Sequence, residues 1–143
     1  MEETFPMKVP HNAHVAVVDG ERFVLLRNVG PMFEPELEKV AEPDLTETNY
    51  SAGVRHQDHG DQRTGGSSTN LNEFAHSAAA AEWLNRKALT GEIEQLMVVA
   101  GHRTLGEMRR HFHKELQARI VGEVAKELTW ESPQAIARTL AAA

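Results

Sequence analysis

The run Leu96-Met97-Val98-Val99-Ala100 contains no polar residue, ends at Gly101 and stands between two stretches of helical periodicity. So short an apolar run suits a central strand covered on both faces. The flanking stretches supply helices to cover it. Upstream, Phe74, Ala78, Ala81, Leu84 and Ala88 recur at helical spacing, Asn70 and Glu73 form a capping box, and Thr90-Gly91 gives the stop. Downstream, Thr104 and Glu107 form a second capping box that opens a helix to about Arg119, with Leu105, Met108, Phe112 and Leu116 as its buried stripe.

The rest of the chain extends this pattern. Strands are expected over about 13–18 and 22–28, joined at Asp19-Gly20, a hairpin signal because both residues tolerate positive φ. A third strand falls at Leu37 to Ala41, diluted by Glu36, Glu38, Lys39 and Glu42. Ile120 to Leu128 fits either periodicity and is read as a strand, and Ser132-Pro133 then starts a short helix to about Leu140. The order β-β-β-loop-α-β-α-β-α predicts an α/β domain with a mixed sheet. A length of 143 residues makes one domain over 1–143. Its irregular stretch, about 44–70, carries Gly53, Gly60, Gly65 and Gly66 and almost no apolar residues, which predicts a flexible Gly-rich loop.

Composition removes several classes of function. A net charge of -6 and a pI of about 5.7 exclude a generic electrostatic nucleic-acid binder, so any RNA contact must come from a local patch. The absence of cysteine excludes a disulfide scaffold, a thiolate zinc site and a cysteine nucleophile, and fits a reducing cytoplasm. No secretory signal is read in Met1 to Lys8, and no segment has the length of a membrane span. No Walker loop, dinucleotide fingerprint or Gly-x-Ser-x-Gly elbow is present, so no cofactor is expected. His56, Asp58, His59 and Asp61, or His111 with His113, have zinc-binding side chains. The first set falls in the loop, and positions i and i+2 on a helix do not face one way, so no metal site is expected.

Two constellations remain. Arg63-Thr64-Gly65-Gly66-Ser67 precedes the helix expected from Asn70. Paired glycines let the backbone approach a ligand, and a helix N-terminus offers free N–H groups to anions. After the apolar strand, residues 101 to 119 hold five cationic residues and two acids, a net of +3 in an acidic chain. His102, Arg103, Arg109, Arg110, His113 and Lys114 form this basic face. Arg109 stacks with His113, and Arg110 with Lys114, at i, i+4, on the side away from the apolar stripe. Guanidinium forks there suit phosphate or an RNA backbone, and the plainer alternative is a solvated helix face. Trp83 and Trp130 are expected to pack in the core or between helices. No catalytic residue is assigned.

Several segments together carry a resemblance. They are the Val17-Val18-Asp19-Gly20 hairpin, the Gly-rich loop with its histidines, Ala81-Glu82-Trp83-Leu84-Asn85, Arg103-Thr104-Leu105-Gly106-Glu107-Met108-Arg109 and Lys126-Glu127-Leu128-Thr129. Over nearly the whole chain they resemble the bacterial host attachment protein family, which in turn resembles the middle domain of archaeo-eukaryotic peptide-chain release factors and the ribosome-rescue protein Pelota. The resemblance implies a ribonuclease-H-like α/β domain with a mixed five-stranded sheet. In release factors a Gly-Gly-Gln loop before a long helix enters the peptidyl-transferase centre. Gly65 and Gly66 match those glycines, and Ser67 stands where the Gln would be. The substitution implies binding without hydrolysis of peptidyl-tRNA, as in Pelota-type relatives. Three functions compete. The preferred one is a release-factor-like protein that binds the ribosome or structured RNA, acting in translation-related regulation or ribosome rescue, with no membrane partner and no DNA sequence recognition. The others are a hydrolase or nuclease using the Gly-Gly loop and the Arg/His cluster, and an interaction protein promoting attachment to host cells.

Overall fold

The computed structural model describes residues 9–45 and 65–142, with residues 65–72 described by their backbone alone. Strands β1 (His14–Val18) and β2 (Phe23–Asn28) pair antiparallel from His14↔Arg27 to Val18↔Phe23. Their connection differs from the expected one. Neither Asp19 nor Gly20 has a positive φ. Instead the Asp19 carboxylate accepts the backbone N–H groups of Glu21 and Arg22, both at 2.7 Å, in an Asx turn. Gly20 is needed for space, since a Cβ there would stand 2.7 Å from Cγ of Glu73.

Strand β3 (Leu37–Ala41) pairs antiparallel with β2. Buried Asn28 shapes the approach to β3, its Oδ1 accepting the N–H of Gly30 at 2.8 Å and of Glu36 at 2.9 Å. Helix α1 (Gly65–Leu89) follows. It starts at Gly65, ahead of the expected box at Asn70, so residues 65–70 are helical rather than part of the loop. Once nucleated, a helix gains a hydrogen bond for each residue it adds, and the Ala78–Ala81 run consists of the strongest helix former. It ends as expected at Gly91, φ 84°. There the Gly91 N–H reaches Ala88 O at 3.1 Å and the Glu92 N–H reaches Lys87 O at 3.0 Å, a Schellman pattern.

Strand β4 (Leu96–Ala100) is buried along its whole length. It runs parallel to β1, and β5 (Ile120–Val124) runs parallel to β4. The order is β3-β2-β1-β4-β5, a mixed five-stranded sheet in an α/β fold, as the resemblance implies. The expected helix from Thr104 to Arg119 is two helices, α2 (His102–Arg109) and α3 (Lys114–Gln117). Buried Asn85 of α1 fills the break. Its Nδ2 donates to His111 O at 2.9 Å and its Oδ1 accepts the His113 N–H at 2.9 Å. Strand β5 stops at Val124, short of the expected Leu128. The chain beyond it crosses the β1–β2 turn, where the Thr129 hydroxyl donates to the Asp19 carboxylate and Arg22 Nη1 donates to Thr129 O at 2.5 Å. Helix α4 (Pro133–Ala142) starts as expected, Ser132 Oγ accepting the Ala135 N–H at 3.1 Å.

Both faces of the sheet are covered. Ala16, Val18, Phe23, Leu25 and Val98 pack against Ala81, Leu84, Leu105, Met108 and Leu116 of α1–α3. Val15, Val17, Leu26, Met97 and Val99 pack against Ile136 and Leu140 of α4. Among the described residues, no helix is long and apolar enough to cross a membrane.

Candidate functional site

The chain leaves β1 toward β2 and leaves β4 toward β5, in opposite directions along the sheet. A crevice outside the carboxyl ends of two such strands is the usual ligand position in open α/β sheets. Here a cleft of about 410 Å³ opens at that place. Asp19 and Glu21 come from the β1–β2 turn, Glu73 and Phe74 from α1, Arg103 and Thr104 from α2, and Glu127 from the chain after β5. The Arg103 guanidinium carbon lies 5.6 Å from the centre of the Phe74 ring. The Glu127 carboxylate packs against Gly101, the N-cap of α2, which has no side-chain cap; a Cβ at 101 would stand 2.8 Å from Oε2 of Glu127. The helix dipole favours a carboxylate at that end.

Asp19 is structural. Its carboxylate is taken up by Glu21, Arg22 and Thr129, and its carbonyl accepts Nδ1–H of His76 at 2.9 Å. A carbonyl can only accept, so that contact assigns the Nδ1–H tautomer of a neutral ring. Burial pushes the His76 pKa down, opposed by the hydrogen bond to Asp19. Among the described residues no three His, Asp or Glu side chains are grouped to hold a metal ion. His56, Asp58, His59 and Asp61 lie outside the described residues.

The residues of the expected loop and of the expected basic face have separate fates. Arg63 lies outside the described residues, and Gly65, Gly66 and Ser67 form the first turn of α1. His102 and Arg103 open α2, with Arg103 on the cleft. Arg109 is held by Glu123 of β5, its Nε at 3.0 Å and Nη2 at 2.5 Å from Oε1. The break after α2 removes the i, i+4 stacking of Arg109 on His113 and of Arg110 on Lys114. Arg110 is exposed and makes a long ion pair of 4.0 Å with Glu107, His113 lies 4.0 Å from Glu82, and Lys114 is exposed. Asn85, which anchors this segment, is 19 residues along α1 from Gly66, about 28 Å at the helical rise. The Gly-Gly turn and the Arg110–Lys114 cations are therefore two separate patches. Arg103, over Phe74, stands nearer the Gly-Gly end, about 12 Å along the helix from Gly66.

Two residues of this region escaped the sequence reading. Asn85 sits among Ala81, Leu84 and Ala88 on the apolar stripe, and a polar residue at such a position is the available signal. Trp130, expected inside, is 75% exposed, whereas Trp83 packs edge-on against Phe23 with ring centres 5.2 Å apart.

The family model for Bacterial archaeo-eukaryotic release factor family 12 matches residues 12–140. The chain belongs to that family. The match bears on the release-factor side of the resemblance and leaves the host-attachment name without support. No curated protein matches the chain.

Proposed function

We propose that this member of the bacterial release-factor family is a non-catalytic RNA-binding protein that associates with the ribosome and acts in translation-related regulation or rescue. The observation that carries this is the opening of α1 on Gly65-Gly66 followed by Ser67. The glycines open the long helix that the release-factor loop precedes, and a short hydroxyl replaces the amide that hydrolysis depends on there. A glycine-opened helix N-terminus offers backbone N–H groups to phosphate without side chains in the way. Arg110 and Lys114 near Asn85 supply cations for further phosphates.

Co-sedimentation with ribosomes over a salt series tests the proposal. Changing Arg110 and Lys114 together to Gln removes two exposed cations and should lower the slope of log affinity against log salt by about 1.4–1.8. Melting should barely move, because exposed charges contribute about 0–1 kcal/mol. Arg109→Gln should leave binding close to that of the parent, since Glu123 already occupies its guanidinium. A folded double variant that sediments like the parent refutes the RNA face. Release of peptide from peptidyl-tRNA by the parent protein refutes the non-catalytic assignment.

A further inference from the structure

Trp130 is 75% exposed but is held like a core residue. One face of its ring rests on the Arg22 guanidinium, whose carbon lies 4.5 Å from the ring centre. Arg22 is itself fixed, Nε donating to Glu42 at 2.7 Å and Nη1 to Thr129 O at 2.5 Å. The turn that carries the ring is closed by the Glu131 N–H to Leu128 O at 3.0 Å and tied to Asp19 through the Thr129 hydroxyl. The other ring face is open to solvent. An aromatic side chain ordered in advance on a rigid turn loses little further entropy on contact, which is the property of an interface anchor.

The surroundings of the ring select the partner. The 126–131 segment that bears Trp130 also bears Glu127, which lines the cleft with Glu21 and Glu73. Glu21, Glu73, Glu127 and Glu131 form no salt bridge among the described residues, and Arg103 is the single cation on the cleft wall. Phosphates would meet these carboxylates; cations are favoured.

We propose that Trp130 and the adjoining cleft form a docking surface for a protein partner that presents a basic segment. An apolar group of the partner covers the open face of the indole, and a Lys or Arg side chain enters the cleft between Glu21, Glu73 and Glu127. This surface is distinct from the cations assigned to RNA and does not depend on them.

Fluorine NMR of the intact protein carrying 5-fluorotryptophan distinguishes Trp83 from Trp130. Three probes are titrated: a short peptide of alternating Arg and Leu, its Glu-Leu counterpart, and an unstructured RNA oligonucleotide. The Trp130 resonance should move with the Arg-Leu peptide alone, and the affinity should fall as salt is raised. It should weaken by about tenfold or more in Glu127→Gln, read by the same resonance, and in Trp130→Ala, read by titration calorimetry. Both sites are exposed, so circular dichroism should match the parent and melting should shift by only a few degrees, the loss of the dipole contact or of the Arg22 contact. A Trp130 resonance that moves with the RNA and not with the Arg-Leu peptide makes the ring a base-stacking platform and overturns the proposal. A resonance that moves with none of the probes, or equally with both peptides, also overturns it.

Discussion

Replacing Asn85 with alanine should destabilise the fold by about 2–3 kcal/mol. Asn85 is 1% exposed, and its amide spans the break between α2 and α3 with two hydrogen bonds of 2.9 Å. Each bond contributes about 1 kcal/mol net. The alanine variant also leaves the His111 carbonyl and the His113 N–H without their partner. That penalty adds at most about 1 kcal/mol in total, because the bonds are only partly buried and water can reach the gap. For a chain of 143 residues the loss lowers the melting temperature by about 7–10 °C. Urea unfolding gives the free energy, and hydrogen exchange reads the His113 amide, which should lose protection well before the amides of β4. Asn85→Asp is the sharper control. It keeps an acceptor for the His113 N–H but turns an oxygen toward the His111 carbonyl, so it should cost at least as much as alanine. An alanine variant within about 0.5 kcal/mol of the parent, with His113 protection intact, would show that α2 and α3 hold their break without the amide.

Two further outcomes follow from single groups. Burial lowers the pKa of both His14 and His76 below the ordinary 6.5, with Arg27 adding to the effect at His14. The unfolded chain therefore binds more protons as pH falls below 6.5; the stability contribution of both rings is complete above that value and is lost below it. The loss is at most about 1.4 kcal/mol per pH unit for each ring. Urea midpoints that stay level from neutral pH down to pH ~5 would contradict it. Gly91→Ala meets no atom within 4 Å but keeps a φ of 84°, so its cost is backbone strain alone, about 1 kcal/mol. A thermal melt unchanged by that substitution would rule the strain out.

The elements that were legible in the sequence are those decided within a few residues. The apolar run of β4, the Gly91 stop and the Ser132 cap depend on local pattern and turn chemistry, and all three occur where expected. The misjudged boundaries depend on distant partners. Periodicity carries the 104–119 stripe straight through residues 110–113, because the side chain that interrupts it belongs to α1. Strand β5 ends early because Thr129 is drawn to Asp19, 110 residues away. The basic face was legible as composition, but Glu123, which removes Arg109 from it, is placed by strand pairing. Trp130 gave no local sign that Arg22, rather than the core, would receive its ring.

The parallel pairing of β1 with β4, His14 opposite Leu96, orders events in time as well as in space. The meander β1–β2–β3 is complete by residue 41, but the inner edge of β1 has no strand to bond until the chain has grown past Ala100. At synthesis rates of about 5–20 residues per second, that edge stays open for several seconds. Closing so long a connection is also the slow kind of contact in folding. The nascent chain is thus most vulnerable to misassociation along β1, the strand that lies at the centre of the finished sheet.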